Sequence, residues 1–152
     1  MHCSYYSDLF NVGRIGGLVV MYSSDFLIDY HKRLWKFIKE HISDMRISEA
    51  KAEFSRKNLP PSRIVECVGC IIARTVTKIY KCDDCPFDSD ICFGPHSDYI
   101  ILFSLNYRLH VEGVNSDEML ALAYKLCDNI INAEFDKEII KKYDKIFKEI
   151  CP

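Results

Sequence analysis

The clearest amphipathic pattern in the chain begins near residue 25. Leu27, Tyr30, Leu34, Ile38, Ile42 and Met45 recur at spacings of three and four, which gathers them on one side of a helix and leaves Lys32, Lys36 and Lys39 off it. Ser23-Ser24-Asp25 places side-chain oxygens where the first unpaired N–H groups of such a helix need acceptors, so the helix is predicted to start there. Just upstream, Gly16-Gly17 runs into Leu18-Val-Val-Met21, the pattern of a short buried strand. Arg46 to Lys57 predicts a second, more polar helix. Asn58-Leu-Pro-Pro61 ends it, because proline has no N–H and biases the residue before it away from helix.

Ile64 to Tyr80 supports two readings. Its β-branched residues favour a strand, whereas Ile64, Val68, Ile71, Ile72, Val76 and Ile79 fit a helical stripe that Ser62 could cap; the helix is favoured. Farther along, Phe103, Leu105, Tyr107, Leu109 and Val111 alternate with Ser104, Asn106, Arg108, His110 and Glu112, which predicts β structure with one wet face and a turn at Asn106. Asn115 with Glu118 suggests a capping box ahead of a helix bearing Leu120, Ala123, Tyr124, Cys127 and Ile131. A last helix carries Phe135, Ile139, Tyr143, Ile146, Phe147 and Ile150. The expected fold is a single α+β domain over residues 1–152. It is helix-majority, with a small antiparallel sheet formed by the N-terminal strand and the 99–113 region, and an irregular Cys-rich loop at 82–98.

Length and composition change this picture little. A chain of 152 residues with 49% hydrophobic content can bury a core without cross-links. Net charge is -2, so no global field drives the molecule onto nucleic acid or an anionic membrane. Apolar runs such as Leu18 to Met21 are far too short to span a bilayer, and Met1 to Asp8 holds no Lys or Arg of the kind that opens a secretory leader. The expectation is a cytoplasmic protein, in which eight cysteines point to metal ligation, redox work or packing before structural disulfides.

Candidate chemistry concentrates in those cysteines. Two CxxC pairs, Cys67/Cys70 and Cys82/Cys85, carry the familiar zinc-ribbon spacing. The spacer 71–81 lacks Gly, Pro, Asn and Asp, and would hold the pairs roughly 35 Å apart if extended or about 16 Å if helical. A local set avoids that obstacle: Cys82, Cys85, Cys92 and His96 lie within a stretch that Pro86 and Gly94-Pro95 can bend, and three thiolates with an imidazole make a sound tetrahedral zinc shell. Zinc on these four is the favoured reading, with Cys67 and Cys70 as alternative ligands. An iron–sulfur cluster is a further alternative, as is a disulfide between Cys92 and either Cys82 or Cys85. A redox role for Cys82-Asp-Asp-Cys85 is weakened by its aspartates, which raise thiol pKa values. Cys3, Cys127 and Cys151 read as packing residues or incidental.

The function expected from these features is a non-enzymatic interaction or regulatory module whose acidic loop is organised by zinc. Its partner is expected to be a protein, with no membrane involvement. The competing class is nucleic-acid binding. Residues 31–57 hold eight Lys or Arg against four Asp or Glu, and Lys32, Arg33, Lys36 and Lys39 could meet phosphates while Trp35, Phe37 or His41 stacks on a base. The loop at 82–98 carries five aspartates and no Lys or Arg, so it would repel such a ligand. A thiol-redox protein is the other competitor.

Overall fold

A computed structural model describes residues 2–7, 17–58, 67–77, 84–92, 94–114 and 116–152. Two strands, β1 (His2–Ser7) and β2 (Gly17–Tyr22), pair antiparallel with Cys3 opposite Met21. Six helices follow among the described residues: α1 (Ser24–His41), α2 (Ile47–Asn58), α3 (Val68–Thr77), α4 (Asp98–His110), α5 (Asp117–Ile131) and α6 (Lys137–Ile150). The body is helical, α1 packing on α2 and α5, α4 on α5, and α3 on α6.

The expected α+β class is therefore corrected. Residues 99–113 form no strand and contribute to no sheet; they lie largely within α4. The buried positions there are Leu102, Leu105 and Asn106, at helical spacing, while Phe103 and Tyr107 face solvent and produce the misleading alternation. Ser97, whose Oγ accepts from the N–H of Ile100, caps α4. Asn106 makes no turn: its Oδ1 accepts from the N–H of Ile47 at 3.0 Å, and its Nδ2 donates to the carbonyl of Met45 at 3.1 Å, fastening α4 to the start of α2.

Other elements follow the sequence pattern closely. Ser23 caps α1, accepting from the N–H of Phe26, and Leu27, Tyr30, Leu34 and Ile38 are buried along it. Ser116 caps α5, accepting from Met119, and the expected partner Asn115 lies outside the described residues. Gly113, at φ 66°, supplies the left-handed turn between α4 and α5 that a side chain would strain. Asp136 caps α6, accepting from the N–H groups of Glu138 and Ile139. Tyr143 on α6 is buried, and its hydroxyl donates to the carbonyl of Tyr22 at 2.6 Å, tying the last helix to β2.

Cys3 and Cys151 are neither packing residues nor incidental. They form a disulfide with Cα atoms 5.8 Å apart across a separation of 148 residues, joining β1 to the end of α6. Such a closure restricts the unfolded chain, and replacing both cysteines by serine is expected to lower unfolding free energy by about 2–5 kcal/mol in denaturant titrations. Equal midpoints for the two proteins would show that the link does not constrain the fold.

His31, on α1, is 1% exposed and donates from Nε2 to the carbonyl of Ile130 at 2.9 Å, joining α1 to α5. Burial holds its pKa below the ordinary imidazole value. A group with a depressed folded pKa gives stability that is complete above the unfolded value of about 6.5 and is lost as pH falls through the folded one. Urea midpoints should thus drop below about pH 6.5. His31→Gln, which keeps a donor for Ile130, should remove that part of the slope, and parallel pH profiles would contradict the assignment.

Candidate functional site

The first turn of α3 begins at Cys67, whose carbonyl accepts from the N–H of Ile71 at 3.1 Å. That position lets the Cys67 sulfur receive the N–H of Gly69 and the side chain of Cys70, three residues on and therefore on the same side of the turn. Cys67-Val-Gly-Cys70 is a dithiol built on a helix N-terminus.

A second pair of sulfurs arrives from the loop before α4. Cys92 N–H donates to the carbonyl of Asp88 at 3.3 Å and Gly94 N–H to that of Ser89 at 2.9 Å, while Ser97 Oγ donates to the Cys92 carbonyl at 3.0 Å. These bonds curl the loop so that Cys85 and Cys92 lie against α3, and the N–H of Asp136 holds the carbonyl of Pro86 at 2.8 Å from the α6 side. The closest approach is at Gly69. A Cβ there would stand 2.7 Å from the Phe87 ring and 3.0 Å from the Cys85 sulfur. Phe87 cannot easily yield, because its ring centroid lies 4.9 Å from that of His31 and 4.6 Å from that of Phe135.

The four sulfurs form a line of contacts, Cys70 to Cys67, Cys67 to Cys92, and Cys92 to Cys85. Donation from Cys70 and then Cys92 holds the Cys67 thiol well below its ordinary pKa, assisted by the charge of Lys51 and the N–H of Gly69. Donation from Cys92 also lowers Cys85. Cys92, the shared donor, is pushed up and keeps its proton. Lys51 is a buried cation: its Nζ donates to the Tyr99 hydroxyl at 3.2 Å and lies 5.6 Å from the centre of the Trp35 ring. Cys127, buried on α5, is pushed up to about 12 by desolvation.

The zinc expectation is corrected by this arrangement. Among the described residues no group of three or more His, Cys, Asp or Glu side chains is disposed to hold a metal ion. Cys85 and Cys92 are in contact, but His96 is exposed on the other part of the loop, and Cys82 lies outside the described residues. Cys67 and Cys70, the alternative ligands, join the same line, and the same finding removes the iron–sulfur alternative. The bridged pair is Cys3–Cys151; Cys85 and Cys92 are thiols.

The spacer 71–81 separates Cys67 from Cys85 only if it is one straight element. The described part of α3 ends at Thr77, and Cys85 stands against the first turn of that helix at Gly69. A glycine inside the CxxC was the available signal for this close approach. Nothing in the one-dimensional pattern pointed to Lys51 or His31.

On α1, Arg33 pairs with Asp29 and Lys39 with Asp128, each at 2.7 Å, while Lys32 and Lys36 are exposed. Trp35 is only 2% exposed, so it offers no stacking surface, and Phe37 packs against Phe54 and His41. No helix among the described residues is long and apolar enough to cross a membrane.

Gly69→Ala should gain about 1 kcal/mol of helix propensity yet lose more by overpacking, for a net destabilisation of about 1–2 kcal/mol. Thermal unfolding, read with the rate at which Cys85 is alkylated, checks this: a stabilised variant with a protected Cys85 would show that the contact is not tight. No family model matches the chain, and no curated protein or solved structure matches it.

Proposed function

We propose that this chain is a thiol–disulfide redox module that works without a metal and whose exchanging dithiol is Cys67 and Cys70. The observation that carries the reading is the position of the Cys67 sulfur on the first turn of α3, in contact with both Cys70 and Cys92. Nucleophilic sulfur is thiolate, and a helix N-terminus, a CxxC spacing and a nearby cation each favour that form. Cys67 combines all three, the cation being Lys51. Cys67 and Cys70 are both partly exposed, as an exchanging pair must be.

The aspartates that argued against redox chemistry at Cys82-Asp-Asp-Cys85 are not among the groups that act on Cys67, which are the side chains of Cys70 and Cys92, then Lys51 and the N–H of Gly69. In turnover, a partner thiolate attacks the Cys67 sulfur of the Cys67–Cys70 disulfide and Cys70 leaves as thiolate, then a second partner thiolate attacks the partner sulfur of that mixed disulfide and Cys67 leaves as thiolate. Net, two partner thiols become one disulfide and Cys67 and Cys70 are reduced.

A protein partner is supported by α4, whose outer face exposes Ile100, Phe103, Tyr107 and Val111 at spacings of three and four, with Phe103 and Tyr107 about half exposed. The nucleic-acid reading draws less support, because Trp35 is buried and two of its four cations are paired with carboxylates.

Brief treatment of the reduced protein with iodoacetamide, followed by mass spectrometry, should modify Cys67 first and leave Cys127 unmodified in the native state. Because Cys67 is held low, its rate should persist as pH falls below the ordinary thiol range, and Lys51→Met should move that profile upward. A Cys67 no faster than Cys127, or stoichiometric metal in the purified protein, would remove the reading.

A further inference from the structure

Cys85, the far end of the sulfur line, is 8% exposed and belongs to the wall of a groove in which neither Cys67 nor Cys70 takes part. It lines a groove of about 960 Å³ between the loop and the start of α6, together with Asp88, Asp98, Asp136 and Glu138. Lys137 is the one cation on that wall among the described residues. Between the groove and the dithiol stands Cys92, in contact with Cys85 on one side and Cys67 on the other. Each adjacent pair along the line can therefore form a disulfide in turn, with no sulfur travelling farther than its neighbour.

We propose that oxidising equivalents enter at Cys85 from a positively charged disulfide bound in the acidic groove, and pass through Cys92 to Cys67 and Cys70. The proposal rests on the redox reading above and supplies its substrate class and direction.

The steps balance at every stage. Cys85 thiolate attacks the incoming disulfide, forming a mixed disulfide and releasing one cationic thiol. Cys92, giving up its proton, attacks the Cys85 sulfur and releases the second thiol, leaving a Cys85–Cys92 disulfide. Cys67 thiolate then attacks the Cys92 sulfur and frees Cys85 as thiolate. Finally Cys70 attacks the Cys67 sulfur, its proton passing to Cys92 as that sulfur leaves. Two electrons have moved from the protein to the external disulfide, and the internal exchanges conserve both sulfur count and charge.

The position of Cys92 suits it to this role. Its backbone is fixed by the Asp88 carbonyl and by Ser97 Oγ, so its sulfur stays between the two acceptors.

The experiment uses the full-length chain with its Cys3–Cys151 bridge intact and two symmetrical disulfides as probes, cystamine, which is cationic, and oxidised glutathione, which is anionic. Products are mapped by mass spectrometry at successive times. The wild type should give the Cys67–Cys70 disulfide with cystamine at least about tenfold faster than with glutathione disulfide at low salt, the difference shrinking as salt is raised. Cys92→Ser should accumulate a Cys85–cysteamine mixed disulfide and oxidise Cys67 and Cys70 much more slowly than the wild type. Cys85→Ser should likewise oxidise them much more slowly with cystamine, leaving only direct attack by Cys67, and circular dichroism establishes that each variant is folded.

Formation of Cys67–Cys70 at the wild-type rate in folded Cys92→Ser would overturn the relay while leaving the redox reading standing. Equal rates with the two probes would overturn the cationic substrate. Failure of the wild type to form Cys67–Cys70 with either probe would overturn the redox reading, and the relay with it.

Discussion

The contact of the Phe87 ring with Gly69 sets the geometry on which the sulfur cluster depends. A helix's first turn ordinarily presents side chains to whatever lies beside it; at Gly69 it presents bare backbone, and an aromatic ring fills the space at 2.7 Å from where a Cβ would stand. That ring is held in turn by His31 and Phe135, and His31 is fixed by the carbonyl of Ile130. A chain of packing therefore runs from the α1–α5 interface to the start of α3. Cys85 follows Phe87 into this contact, and Cys92 follows through the turn bonded at Asp88 and Ser89.

The two ends of the sulfur line sit in contrasting electrostatic surroundings. At Cys67 the side chains of Cys70 and Cys92, the cation of Lys51 and the N–H of Gly69 together outweigh burial and favour thiolate. Around Cys85 the groove wall carries the carboxylates of Asp88, Asp98, Glu134, Asp136 and Glu138 among apolar and amide side chains. A chain with a net charge of only -2 thus segregates its charges locally, which whole-molecule charge does not reveal. Cys127 provides the contrast: it is a buried thiol on α5 beside Asp128, and it stays protonated far beyond the physiological range.

Much of the helical scaffold was legible from periodicity. The α1 stripe, the Ser23 cap, the helical reading of α2 and of the region that contains α3, and the last two helices all follow from local rules, while the prolines expected to stop α2 lie outside the described residues. α4 did not, because it is apolar around most of its circumference; Phe103 and Tyr107 face outward while Leu102 and Leu105 face inward, so the alternation of one face overlays the helical period of the other. Ser97-Asp98, a helix-start signal, was the better guide. At the site, the relevant residue types were legible but their grouping was not. Sequence distance favours Cys85 and Cys92 with His96, whereas the fold sets Cys85 beside Gly69 and so brings in Cys67 and Cys70. The disulfide between Cys3 and Cys151, spanning almost the whole chain, leaves no local signature at all.

Trp35 is the sole tryptophan of this chain, and it lies in the core against Lys51 and the edge of Tyr99. Indole emission responds to the field of a neighbouring charge, and here that charge is the same one that senses the sulfur of Cys67. The molecule consequently carries a built-in optical gauge: a change in the ionisation or bonding of Cys67 alters the field around Lys51 and with it the colour and yield of a single fluorophore, with no label attached.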